Sequence, residues 1–196
     1  MLDLLFTNPF AFIVIFGGII LAIGIHEAAH CYTADYLGDP TPQALGRKTL
    51  NPLAHLDFWG TVVLLITGRF GWGKPAPFDP YNLKNPGRDS KLIALAGPVS
   101  NLIIAICLSA LLRILNISNL SILGILGHLI ALNINLALFN LLPIPPLDGS
   151  KILLRNYRLL TNNYLLILAI LPIFGGHSIA SIIISPISTF ILDMLI

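Results

Sequence analysis

The sequence predicts an all-α membrane protein of about five to six transmembrane helices, with a short β-like or re-entrant insertion. Three observations carry this expectation. Of the 196 residues, 56% are hydrophobic and only 10% are charged, against about 25% in ordinary soluble domains. The mean hydropathy is +0.85, more apolar surface than one core of a chain this size could hide. The apolar residues also fall in runs of membrane-spanning length, which needs roughly 20 residues.

Taken in order, the first run covers 9–37 and holds an uncharged stretch from Phe10 to Ile25. It has no basic leader ahead of it, so it is expected to stay in the structure rather than be cleaved. The next spans are expected at 91–115 and 121–142. A shorter pair follows at 159–174 and 179–196, acceptable as a tilted hairpin although Pro186 interrupts its second arm. Between 38 and 90 the character changes. Seven of the fourteen prolines lie there, with turn signals at Gly38-Asp39-Pro40, Asn51-Pro52 and Asn85-Pro86-Gly87. The only apolar run in this region, Thr61 to Thr67, is rich in β-branched residues and too short to span, so it reads as a strand or a re-entrant piece. No repeat or separate soluble domain stands out, and 1–196 is read as one membrane domain with a core at 10–158 and a helical hairpin at 159–196.

Charge sets the expected orientation. Ten of the eleven basic residues lie in 47–91 or 151–158: Arg47, Lys48, Arg69, Lys74, Lys84, Arg88, Lys91, Lys151, Arg155 and Arg158. Arg113 alone lies elsewhere. The positive-inside rule then puts 38–91 and 143–158 on the cytoplasmic side of a cell membrane and runs the first helix from outside to inside. A net charge of +2 without a basic stripe argues against nucleic acid as a partner. Cys31 and Cys107 both sit in apolar helical sequence, which argues against a disulfide framework.

The chemistry concentrates in His26-Glu27-Ala28-Ala29-His30. Two histidines four apart share one helix face about 6 Å apart along the axis, which suits two ligands of one zinc ion. Glu27 lies beside that face and could activate water without being a ligand. Ionisable groups so close together on a membrane helix are costly unless they line a polar site. The plainer reading is a helix end where these groups reach interfacial water. A catalytic zinc normally has three protein ligands, so a third is needed from another helix at the same depth. Asp148 is the candidate, because the run Pro143-Ile144-Pro145-Pro146 must break the helix that begins near Ser121. Its plainer reading is an N-cap in a Pro-rich exit turn. Active site and basic loops would then share the cytoplasmic side.

Three motifs in this order resemble the site-2 protease family of intramembrane zinc metalloproteases: His26-Glu27-Ala28-Ala29-His30, Gly97-Pro98-Val99-Ser100-Asn101, and Asn140…Pro143…Pro146-Leu147-Asp148-Gly149. The resemblance covers about 10–158 and looks closest to a compact bacterial and archaeal branch that lacks a PDZ domain. Loops of that branch carry sequences like Leu45-Gly46-Arg47…Leu50-Asn51-Pro52-Leu53-Ala54-His55-Leu56-Asp57 and Phe70-Gly71-Trp72-Gly73-Lys74-Pro75. It implies one Zn2+ per chain on His26, His30 and Asp148, Glu27 as general base, and transmembrane-helix proteins as substrates cut within the bilayer. It also implies that Asn140 stabilises the oxyanion or orients the substrate strand. From the residues alone, Asn140 shares a face with Asn133 and could equally bond helix to helix. Gly97 and Asn101, four apart, suit close helix approach and are assigned to packing. His55 and Asp57 could extend the site, although turn signals around them favour a solvated interfacial histidine. His128 falls on the wrong half of the membrane, and His177 in a loop on the outer side. The 159–196 hairpin is expected to shield the core from lipid.

A substrate helix must unwind to be cut, and 61–67 with 68–77 is the β-like edge onto which it could add a strand. Two other classes stay open: an inactive scaffold, against which Glu27 argues, and a metal- or proton-coupled transporter, which would usually show paired interrupted repeats.

Overall fold

The computed structural model describes residues 2–67, 71–117, 119–154, 164–174 and 177–196. Expectations that rest on Arg69, Phe70, Arg155, Arg158, Gly175 and Gly176, and on the start of the 159–174 span, lie outside the described residues.

Three long helices form the frame: α2 (Pro9–Tyr36), α5 (Pro86–Ile114) and α6 (Leu120–Asn140). They are long and apolar enough to cross a membrane. Each begins where the sequence provides a start. Asn8 caps α2 through a bond from the Ala11 amide and is followed by Pro9, which needs no donor in the first turn. Asn119 accepts from the amides of Ser121 and Ile122 at the start of α6. Pro86 opens α5, and Asp89 reaches back to the Asn85 amide. A short helix, α1 (Leu2–Thr7), precedes the frame.

The three long helices pack antiparallel in sequence order, and α2 also touches α6. Little hydrophobic force draws helices together within lipid, so small and polar contacts matter more there. Asn101 of α5 is completely buried and donates to the Ala22 carbonyl of α2 and to the Asn133 oxygen of α6, tying the three helices at one depth. One turn away the contact becomes apolar, with Ala105, Ile130 and Ile134 fully buried against one another.

Several expectations change here. Thr61–Thr67 is not a strand but most of the helix α4 (Phe58–Thr67). Asp57 starts it by accepting from the Gly60 amide at 2.8 Å, so this residue is a cap rather than part of a site. A lone strand facing lipid would leave its amides unpaired, whereas a helix pairs its own. The extended backbone lies just beyond, where Gly73 pairs in an antiparallel bridge with Leu56.

Of the expected span at 159–174, the described residues hold α8 (Tyr164–Ile170) and the strand β1 (Pro172–Phe174), which pairs with β2 (His177–Ser178). The last helix, α9 (Ile179–Leu195), is continuous through Pro186. Its first turns pack Ala180 and Ile184 on Leu142 and Leu147, beside the Pro-rich run. Its far end meets α5, where Ser109 donates to the Leu195 carbonyl and Arg113 to that of Met194. The paired strands β1 and β2, with His177, therefore lie at the Asp148 end of the bundle, not on the opposite side. The α9 helix buries one face on α5 and α6 and is more than a lipid-facing shield. Among the described residues three helices have spanning length, with α4 and α9 shorter, so the expected five to six crossings are not confirmed.

Candidate metal centre

His26 and His30 lie on one face of α2, both buried, with ring centroids 4.7 Å apart. Asp148 is the first residue of α7 (Asp148–Leu153), directly after the run that ends α6. It does not act as an N-cap; its carboxylate turns inward, and Oδ2 stands 3.1 Å from His26 Nε2 and 3.0 Å from His30 Nε2. One donor atom from each of the three residues falls within 4.8 Å of the others.

The surrounding hydrogen bonds define what these atoms can do. The amide nitrogen of Asn101 already donates to Ala22 and Asn133, so its Oδ1, 2.6 Å from His26 Nδ1, can only accept. His30 Nδ1 faces another acceptor, the Ile93 carbonyl, also at 2.6 Å. Both Nδ1 atoms therefore carry a proton, and with the rings neutral both Nε2 atoms present lone pairs towards Asp148 Oδ2. Lys151 Nζ engages the other carboxylate oxygen at 2.9 Å. Three acceptors converge on one point with no donor among them, an arrangement that a cation satisfies.

Gly97 forms the wall opposite. A Cβ on it would lie 2.4 Å from His30 Nε2 and 2.5 Å from His26 Nε2, inside the space those atoms face. Gly97 and Asn101 do serve close helix approach, but they also border the cluster and fix a histidine tautomer. Their spacing was legible in the sequence; which histidine they would meet was not.

Glu27 lies half-buried beside this cluster, and its Oε2 accepts from the Ala76 amide at 2.8 Å. Asn140 donates to the Leu136 carbonyl one turn back in its own helix, whereas Asn133 makes the bond between helices. His55 is fully buried, not solvated: it touches Arg47 through Nδ1 and the Thr49 carbonyl through Nε2. His128 is exposed on α6. Cys31 is buried and Cys107 exposed, both as free thiols.

Residues 112–166 match the model of peptidase family M50, a stretch that holds Asp148 and Lys151 but not the histidine helix. Over that stretch the chain is similar to this family. It is 41% identical over 143 residues to "Putative zinc metalloprotease YwhC" of Bacillus subtilis (strain 168), covering 69% of this chain and 65% of that protein. It is 30% identical over 143 residues to "Putative zinc metalloprotease Rip2" of Mycolicibacterium smegmatis, covering 70% of this chain and 55% of that protein. The Rip2 protein of Mycobacterium tuberculosis (strain Erdman) is 29% identical over the same length, again with 55% of it covered. The match thus spans about 55–65% of these relatives. No solved structure matches the chain.

Proposed function

We propose that this chain is an intramembrane zinc metalloendopeptidase of the M50 type, with His26, His30 and Asp148 as metal ligands and Glu27 as general base. The observation that carries the reading is the convergence of two imidazole lone pairs and one carboxylate oxygen, each oriented from behind by a separate partner. Two nitrogens and one oxygen are the donor set of a catalytic zinc site, which would leave room for water beside the metal. When bound there, zinc supplies Lewis acidity to a carbonyl and lowers the pKa of water to about 7.

The protein's own residues do the rest. Glu27 takes a proton from the attacking water and passes it to the leaving amine. The bond from the Ala76 amide holds its carboxylate beside the cluster. Lys151 keeps Asp148 Oδ1 occupied and leaves Oδ2 for the metal. Asn140 uses one amide hydrogen on Leu136 and retains a second, which could bind the substrate strand or its oxyanion. A membrane-spanning substrate must unwind to enter. The extended backbone at 71–73, in place of 61–67, is the edge where it would add a strand.

The described basic residues Arg47, Lys48, Lys74, Lys84, Arg88, Lys91 and Lys151 lie at the cluster's end of the bundle, and Arg113 lies at the other. We assign that end to the cytoplasmic face of the cell membrane, so substrates would be cut in the cytoplasmic half of their helix.

The test is cleavage of a reporter membrane helix by the purified chain, beside the Glu27→Gln variant. Glu27→Gln should keep its zinc and lose about 10²–10⁴-fold in turnover. Turnover near wild type in that variant would remove Glu27 from the mechanism.

A further inference from the structure

The two loop sequences around Arg47 and His55 and around Gly73 and Lys74 meet at Glu27. Gly73 is in backbone contact range of α2: a Cβ there would lie 2.8 Å from Ile23 and 3.3 Å from the Glu27 side chain. On the other side the chain presses on α4, where a Cβ on Gly60 would collide with the Trp72 carbonyl. The strap 73–77 is thus held between two helices.

Arg47 is delivered to it by a tight turn. After α3 (Thr41–Ala44), Gly46 takes φ +65° and its amide bonds to the Gln43 carbonyl, while the Arg47 amide bonds to that of Pro42. This pair of bonds is the glycine-dependent helix stop that turns the chain sharply. The Arg47 side chain, only 7% exposed, then donates to the Lys74 carbonyl at 2.6 Å and to His55 Nδ1 at 3.4 Å. His55 in turn donates from Nε2 to the Thr49 carbonyl, and its own carbonyl accepts from the Lys74 amide at 2.7 Å. Both backbone groups of Lys74 are therefore clamped. Two residues on, Ala76 stands between Pro75 and Pro77, which have no amide hydrogen, and its single N–H goes to Glu27.

We propose that Arg47 and His55 are positioning residues for Glu27: they lock the strap so that the Ala76 amide fixes the carboxylate in place. The proposal rests on the reading of Glu27 as the base, but its first test does not. Amide hydrogen exchange on the full chain, resolved to single residues, should show Lys74 and Ala76 protected. Glu27→Ala should release Ala76 and leave Lys74 protected, and Arg47→Met should release both at least 10-fold. Protection of Ala76 in Glu27→Ala, or an unchanged pattern in Arg47→Met, overturns the clamp.

Turnover gives the second reading. Arg47→Met should lower kcat about 10-fold or more at unchanged KM and zinc content, with partial rescue by Arg47→Lys. Ala76→Pro removes the one N–H from a segment already built of prolines and should lower kcat as much. The double variant should lose no more than either single one, because both act through the same bond. Additive losses would overturn the proposal. Wild-type turnover in Glu27→Gln beside the expected exchange pattern would sink the reading of Glu27 as the base and leave the clamp standing.

Discussion

The two halves of the candidate centre are built by different means. The metal half comes from long membrane helices: His26 and His30 on α2, Gly97 and Asn101 on α5, and Asp148 at the break after α6. Its geometry follows from helical spacing and from buried side-chain bonds. The base half comes from a loop, in which Glu27 is reached by a backbone amide and the side chains of Arg47 and His55 act one step back. The same centre therefore depends on side-chain identity on one side and on backbone placement on the other. Damage to the first should cost metal, and damage to the second should cost rate alone.

The sharpest way to break this division is Gly97→Ala. The added methyl would occupy the space both Nε2 atoms face, so the variant should fold and lose its zinc and all turnover. Metal analysis of the purified variant checks this; full zinc content would mean that the cation sits elsewhere. A smaller effect is expected from Asn101→Ala. Without an acceptor at Nδ1, His26 loses the partner that orients it, and zinc affinity should fall about 10–100-fold. Competition with a calibrated chelator measures it, and excess zinc should restore turnover. An unchanged affinity would make Asn101 a packing residue alone.

The same division explains what the sequence revealed. Helical period and membrane cost made His26, Glu27 and His30 stand out, and the need for a third ligand pointed to Asp148. The first long helix begins at 9 as its apolar run indicated, whereas α5 begins at Pro86, five residues before the expected 91, because the Asn85-Pro86 pair read as a turn opens the helix. The loop half was not legible, because what holds it is backbone. Nothing in the letters Arg47 or His55 says that they meet over Lys74, and a buried neutral histidine looks the same as a solvated one. Thr61–Thr67 misled through its β-branched residues, whose preference for strands gives way where a helix alone can pair every amide. Of the 159–174 run, the described part holds α8, whose Leu166 packs against the cluster that contains Leu142 and Leu147.

The most direct measurement is zinc X-ray absorption on the wild-type chain and on Asp148→Ala, with metal content determined on the same samples. About one zinc per chain is predicted, with a first shell of two imidazole nitrogens and oxygen donors. Asp148→Ala should keep both imidazoles, exchange the carboxylate oxygen for solvent and bind zinc more weakly. An identical spectrum and affinity in Asp148→Ala, or a wild-type chain that takes up no zinc, would contradict the account.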